Sequence, residues 1–269
     1  YELLSDAKLF NIEARTPSLA NFDLKFNVKK HKVYFGLKDI KSLTGKTGDK
    51  VVEGISTVQE ERNKKINKFT WVEILLFFAP KVSSTAFKAL ASIGFFRDFD
   101  GKVTRNKALY DYDIYRTLTK AEQAWLQKNY DDHKWAGLVD ALASLAPTKK
   151  EGGGTSKVAR KQIVENEIQL LNSPPYSLDD DPGWVIDQET RFLGCPVSLS
   201  KIDTADTSAA NTTCKEIVNG KKGKDLCVVG NIQRMSDYTI TKGDSKGKTM
   251  SFLTIEDDTC VLDSVVIFP

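Results

Sequence analysis

The sequence predicts an α+β protein of several domains, in which a mainly helical part precedes a small β module. Residues 67–147 carry apolar side chains at the three- and four-residue spacing of amphipathic helices. From about Ile217 the apolar side chains recur at every second position, and β-branched residues become frequent. A stretch rich in glycine, proline and aspartate lies between these parts and is typical of a linker. These patterns divide the chain into residues 1–66, 67–147, 148–216 and 217–269.

The overall composition is that of a folded protein without a strong bulk charge. The 269 residues are 41% hydrophobic and 28% charged, which is enough apolar material for a sizeable core. The net charge is only +3, so nucleic-acid binding would have to come from local clusters of cations. Only two histidines are present, which argues against a histidine-rich metal centre.

The ends of the chain and its apolar runs indicate a portion of a longer intracellular protein. The sequence begins with Tyr1 instead of methionine, and residues 265–269 resemble a strand that is cut within the element. The longest apolar run, residues 74–79, is far shorter than the roughly 20 residues that span a bilayer. We therefore expect a cytoplasmic protein with no membrane partner.

The four cysteines favour free thiols. They include no C-x-x-C pair and have no histidine nearby, so the sequence predicts no zinc site. Two disulfides are the alternative in an oxidising compartment, and free thiols in a reducing cytoplasm are the preferred interpretation. The cysteines are Cys195, Cys214, Cys227 and Cys260.

The first section alternates short helical and extended patterns. A helix is predicted over residues 2–10, and an extended run over residues 22–28 leads into a basic turn at residues 29–32. A short strand follows. Beyond Gly36 the pattern becomes helix, glycine-containing turn and helix.

The later sections follow from the same two periodicities. Helices are expected around Trp71, before Gly94, from about Arg105, and twice more before Pro147. A further helix is expected within the linker, over residues 158–171. The predicted strands of the β module are residues 226–232, 238–240, 250–255 and 261–268.

The first glycine-containing turn is a candidate phosphate site. Backbone N–H groups at the start of a helix can bind a DNA phosphate without reading sequence, and nearby lysines add charge. An ordinary pair of helix caps in a lysine-rich chain is the alternative. The candidate residues are Gly45, Lys46, Thr47, Gly48 and Lys50.

A second glycine follows the next helix and offers a similar arrangement. Gly94 precedes a helix that starts near Arg105, and Arg105 and Lys107 are candidates to face phosphate. The apolar residues around Gly94 are better explained as core. The sequence therefore predicts two helix–turn–helix units, each with a glycine in its turn.

The β module carries a basic turn beside an aromatic residue. Lys242, Lys246 and Lys248 lie between two predicted strands, and Phe252 follows closely. Bases stack on aromatic side chains while lysines pair with phosphates, so this combination suits single-stranded nucleic acid. A solvated hairpin kept soluble by lysine is the alternative.

No catalytic residue can be assigned. Two-metal catalysis needs a pair of carboxylates beside a buried sheet. The acidic groups of this chain, such as residues 179–181 and 256–258, are predicted to lie in turns and linkers. No metal or cofactor is therefore expected in this portion of the chain.

Several segments, in one order, resemble the bacterial replicative DNA polymerase III alpha subunit. The most specific is residues 248–257, KTMSFLTIED, which is similar to that family's OB-domain pattern "GK.MAFLT.ED". The stretch VYFGLKDIK resembles the family's "I.FGL.AIKGVG" at the end of its fingers domain. The further similar segments are residues 6–12, 87–109, 189–194, 229–232, 241–243 and 265–269.

The resemblance implies a portion of a DNA-directed DNA polymerase, of bacterial or phage origin, running from fingers to an incomplete OB domain. Tandem helix-hairpin-helix elements would grip primer–template duplex, and the OB domain would hold the single-stranded template. The family's catalytic aspartates and their Mg²⁺ belong to a palm upstream of this chain. The implied partners are DNA, the rest of the polymerase and other replisome subunits.

A sliding clamp is a further partner that the resemblance suggests. Many family members carry a clamp-binding pentapeptide near the linker. Gln169, Leu170 and Leu171 approximate it without its aromatic residue. The rival to a polymerase is a non-enzymatic DNA-binding accessory or structural protein built from the same modules.

Overall fold

The computed structural model describes residues 12–98, 103–149 and 159–269. The helix predicted over residues 2–10 lies outside these ranges. So do residues 150–158, which include the glycine-rich beginning of the predicted linker. The fold is α+β, as predicted, with nine α-helices and two three-stranded sheets among the described residues. In the same ranges, no helix combines the length and apolar character needed to cross a bilayer.

The helices are α1 (Lys46–Arg62), α2 (Trp71–Glu73), α3 (Ser84–Ser92), α4 (Arg105–Thr117), α5 (Lys120–His133), α6 (Leu138–Leu145), α7 (Arg160–Asn172), α8 (Pro182–Leu193) and α9 (Cys214–Val218). The strands are β1 (Glu13–Arg15), β2 (Asn27–Lys29), β3 (Lys32–Tyr34), β4 (Asn231–Thr239), β5 (Thr249–Glu256) and β6 (Val261–Ile267).

The chain forms two compact units. The helical unit takes the described residues of Thr16–Asn27 and Tyr34–Asp181. The β unit takes those of Tyr1–Arg15, Val28–Val33 and Pro182–Pro269. The boundary after Asp181 falls within the segment that the sequence analysis separates as residues 148–216.

The helical unit is organised around buried aromatic rings. Phe87 of α3 stacks on Tyr112 of α4 with ring centroids 4.1 Å apart, and on Phe96 at 5.0 Å. Trp71 closes the cluster with an edge contact to Phe96. Offset and edge contacts of this kind add stability beyond the burial of apolar area. This core fixes the positions of α2, α3 and α4.

The helix predicted around Trp71 is not a regular α-helix. After α2 the chain continues as a π-helical turn over Ile74–Phe78 and a 3₁₀ turn over Ala79–Lys81. Pro80 lacks the N–H that a continuing helix needs, which accounts for the end of the element. Four of the five residues in the π turn are buried, and only Phe77 is partly exposed.

The larger sheet of the β unit is antiparallel, in the order β4-β5-β6. Met235 lies opposite Leu253, which lies opposite Val265. The two strands predicted at the C-terminal end are confirmed as β5 and β6. The strand predicted over residues 226–232 is wrong, because β4 starts only at Asn231 and runs through the segment expected to contain a separate strand.

Candidate nucleic-acid interface

Gly45 and Gly48 shape the turn that precedes α1. Gly45 is the N-cap residue and has a φ of 61°, a conformation that glycine adopts without strain. Gly48 is buried in the first helical turn. A Cβ there would lie 2.9 Å from the carbonyl oxygen of Leu43 and 3.1 Å from Cγ of Lys38. Gly45 is therefore required by its positive φ, and Gly48 by the close approach of the Leu43 carbonyl oxygen.

The segment before this turn is not the helix that the sequence predicts. It consists of two 3₁₀ turns, Leu37–Asp39 and Lys41–Leu43, which meet at Ile40 with an extended backbone. The buried side chains of Leu37, Ile40 and Leu43 anchor them to the core. The glycine turn therefore directly follows a segment whose apolar side chains are packed in the core.

The start of α1 is open to an anion. No side chain caps its first turn, and the N–H of Thr47 makes only a 3.4 Å contact with the carbonyl of Thr44. Lys46 and Lys50 are exposed, and neither forms an ion pair with any residue that the structure describes. Unpaired N–H groups and free lysines at a helix N-terminus attract phosphate.

The second glycine turn is filled by the side chain of Arg105. Gly94 has a φ of 77°, and a Cβ there would lie 3.0 Å from Nε of Arg105. The Arg105 side chain is only 8% exposed, and its Nη1 donates to the carbonyl of Ser92 at 3.3 Å. The expectation that Arg105 faces phosphate is corrected, because the guanidinium is packed inside the turn.

The N-terminus of α4 already holds a carboxylate. Asp180 accepts hydrogen bonds from the backbone N–H groups of Arg105 and Asn106, each at 3.1 Å. Lys107 bonds to Asp111 at 2.8 Å, and Asp111 also accepts from the indole N–H of Trp71. A phosphate at this helix would have to displace Asp180, so the second turn offers no open anion site.

The β4–β5 hairpin presents the three lysines that the sequence singles out. Lys242, Lys246 and Lys248 are all exposed. The loop is closed by hydrogen bonds from the N–H of Gly247 to the carbonyl of Ile240 at 2.8 Å, and from the N–H of Ile240 to the carbonyl of Lys248 at 2.9 Å. The lysines therefore lie on a hairpin with defined backbone geometry.

One face of the larger sheet carries two exposed aromatic rings. Tyr238 lies opposite Met250, and Ser236 lies opposite Phe252, so the two rings are diagonal neighbours on one face. The exposed fraction is 49% for Tyr238 and 38% for Phe252. We call this side of the sheet the aromatic face. Val266, opposite Phe252 on β6, extends it.

Cations border the aromatic face at both ends. Arg234 lies opposite Thr254. Because every second residue of a strand points to the same face, Arg234, Ser236 and Tyr238 lie on one side of the sheet. Lys248 continues the alternation of Met250 and Phe252 beyond the start of β5. Sequence reasoning missed Arg234 and Tyr238. The period-two spacing of Arg234, Ser236 and Tyr238 was the signal that could have identified them.

A buried carboxylate fixes the β5–β6 turn against α9. Asp257 accepts from the backbone N–H groups of Cys214, Thr259 and Cys260 at 2.6, 2.8 and 3.1 Å. Burial alone raises the pKa of Asp257, but these bonds and the Thr259 hydroxyl outweigh it and lower the pKa. Asp257 therefore holds the turn between β5 and β6 against the start of α9.

The four cysteines are not joined by disulfides in this structure. Burial, with the nearby charge of Asp257, raises the pKa of Cys214 to about 12. Burial likewise raises the pKa of Cys260. Both thiols are thus held in the unreactive protonated form at neutral pH.

The clamp-binding candidate lies at the end of α7. Gln169 and Leu170 are exposed, and Leu171 is half-buried. The carbonyl of Leu170 accepts a hydrogen bond from the hydroxyl of Tyr110 at 2.9 Å, and Tyr176 contacts the Tyr110 ring by its edge. The motif is therefore helical and tied to α4 through Tyr110.

Comparisons with known proteins add no family assignment. No protein-family model matches this chain, and a search among curated proteins finds no match either. Within the ranges that the structure describes, no three His, Cys, Asp or Glu side chains form a group that could hold a metal ion. Two exposed surfaces bring cations together with unpaired N–H groups or aromatic rings: the turn before α1 and the aromatic face.

Proposed function

We propose that this chain is the DNA-gripping portion of a replicative DNA polymerase of the polymerase III alpha type. The collinear sequence resemblance supports the family, and the two surfaces support the binding role. Nucleotidyl transfer would be performed by carboxylates and Mg²⁺ of a palm upstream of these residues. On its own the chain is expected to bind DNA without extending a primer.

The two surfaces suit different forms of DNA. The turn before α1 presents backbone N–H groups with Lys46 and Lys50, which contact phosphates but read no bases. Such contacts fit duplex, as in a helix-hairpin-helix element. The second such element would contribute little in this conformation, because Asp180 covers the start of α4.

The observation that carries the proposal is the aromatic face between Arg234 and Lys248. Tyr238 and Phe252 place two aromatic rings next to each other on an exposed surface, where a partner can cover both. A base stacked on such a ring contributes about 1–3 kcal/mol. This spacing of rings and cations fits unpaired bases with their phosphates, as in an OB domain.

Fluorescence anisotropy with a thymidine oligonucleotide and a matched duplex tests the proposal. Tyr238→Ala with Phe252→Ala should weaken single-strand binding by roughly 30-fold or more, since two stacking contacts are lost. Duplex binding should stay within twofold. Tyr176→Ala removes another exposed ring, 60% exposed and part of the helical unit, and serves as the matched control. Equal single-strand affinity for the double variant and the wild type would contradict the proposal.

The intact polypeptide separates the polymerase from the rival, a DNA-binding accessory protein. The polymerase predicts a much longer natural chain whose purified form extends a primed template in the presence of Mg²⁺. The accessory protein predicts DNA binding by a natural chain of about this length and no extension. The mass of the natural product therefore decides between them.

A further inference from the structure

The β2–β3 hairpin ends in a turn whose backbone does not suit its residues. The two strands are joined by Lys30 and His31 alone, and these have φ values of 49° and 60°. Two consecutive positive φ values are the mark of a type I′ turn, which favours Asn-Gly. Other side chains crowd the backbone in this conformation, so Lys-His is less stable here than Asn-Gly would be.

The turn concentrates positive charge. Lys29, Lys30 and His31 are exposed, and Lys32 pairs with Glu13 at 2.6 Å. Glu13 is shared with Arg15, so one anion faces several cations. Counting the four cations at positions 15, 29, 30 and 32 against this single anion gives +3, with His31 neutral.

Two of these side chains are available to a partner. Lys30 and His31 form neither an ion pair nor a side-chain hydrogen bond with any residue in the described part of the chain. The neighbouring Val28 is 69% exposed, so the hairpin tip projects into solvent. An unfavourable backbone conformation that is kept at an exposed tip indicates that the side chains themselves are used.

We propose that the basic turn, residues 29–32, binds the phosphate backbone of nucleic acid. Ammonium groups act as point charges on phosphate oxygens, and the imidazole N–H of His31 can donate to the same oxygens. The turn has none of the aromatic rings or amides that would read bases, so the contact is independent of sequence. This inference rests on the proposed function. It adds a third DNA-binding surface to the turn before α1 and the aromatic face.

Replacing Lys30→Asn together with His31→Gly tests the proposal because stability and binding move in opposite directions. The Asn-Gly pair relieves the turn, so the Tm should rise by a few degrees. DNA affinity should fall, and the slope of log K against log salt should become shallower by about one, since one phosphate contact is lost. Lys68→Asn removes an exposed lysine of the helical unit and is the matched control; it should leave the slope unchanged.

The possible outcomes separate this inference from the proposed function. A more stable double variant that binds DNA with unchanged affinity and slope would overturn the inference and leave the proposed function intact. A Tm that falls would also overturn it, because the native turn would then not be strained. A wild-type chain that binds no DNA at low salt would contradict the proposed function and this inference together.

Discussion

Gly48→Ala is the substitution that tests the geometry of the turn before α1 most sharply. The new Cβ would lie 2.9 Å from the carbonyl oxygen of Leu43, a backbone atom that cannot rotate away. Overpacking of this kind costs about 1–3 kcal/mol, and the better helix propensity of alanine offsets up to about 1 kcal/mol. We therefore expect a net loss of about 1 kcal/mol, which corresponds to a fall of about 2–4 °C in Tm.

Gly54→Ala in the same helix is the matched control. Its Cβ would lie 3.2 Å from Cβ of Lys81 and 3.6 Å from Cγ1 of Val82, so even its tightest contact is longer than the 2.9 Å approach at Gly48. The better helix propensity of alanine should then offset the cost of this contact, so we expect Gly54→Ala to cause no loss of stability. Calorimetry measures the two Tm values, and duplex titration should show weaker binding for Gly48→Ala alone. Equal Tm values for the two variants, or a Gly48→Ala variant with full duplex affinity, would refute the reasoning.

Three other predictions concern charged groups. Burial raises the pKa of Glu122, but hydrogen bonds from Arg160 at 2.7 and 2.8 Å and from Thr119 outweigh it and hold the pKa at about 2. Its stabilisation is therefore present above about pH 4.5 and is lost as the pH falls towards 2, so urea unfolding of Glu122→Gln should depend less on pH in that window than wild type. Lys46→Ala with Lys50→Ala should flatten the salt slope of duplex binding by about two, measured by anisotropy, and an unchanged slope would remove this turn from the DNA path. Asp180→Ala should lower the Tm through the loss of an N-terminal cap worth about 1 kcal/mol, whereas an unchanged Tm would show that the cap contributes nothing.

Local patterns predicted the elements but not their partners. The spacing of apolar residues indicated α3, α4 and the last two strands, because periodicity reports which face is buried. The position of Asp180 on α4 could not be predicted, since the hydrogen bonds join residues about 75 positions apart in sequence. For the same reason the sequence offered Arg105 to phosphate, although the fold packs it against Gly94.

The aromatic face shows where the sequence held more information than was used. Phe252 and the lysines of the hairpin were identified because they are close together in sequence. Tyr238 joins them only through the pairing of β4 with β5, which sets the register. Strand alternation alone would have placed Arg234 and Tyr238 on one side, but the misplaced start of β4 obscured it.

Photocrosslinking to a single-stranded oligonucleotide that contains bromodeoxyuridine tests the central claim most directly. Bases stacked on aromatic rings crosslink to those rings, and peptide mapping identifies the attached residue. The account predicts crosslinks at Tyr238 and Phe252, the two exposed rings of the aromatic face. Efficient crosslinks confined to residues outside the β4–β6 sheet would contradict it.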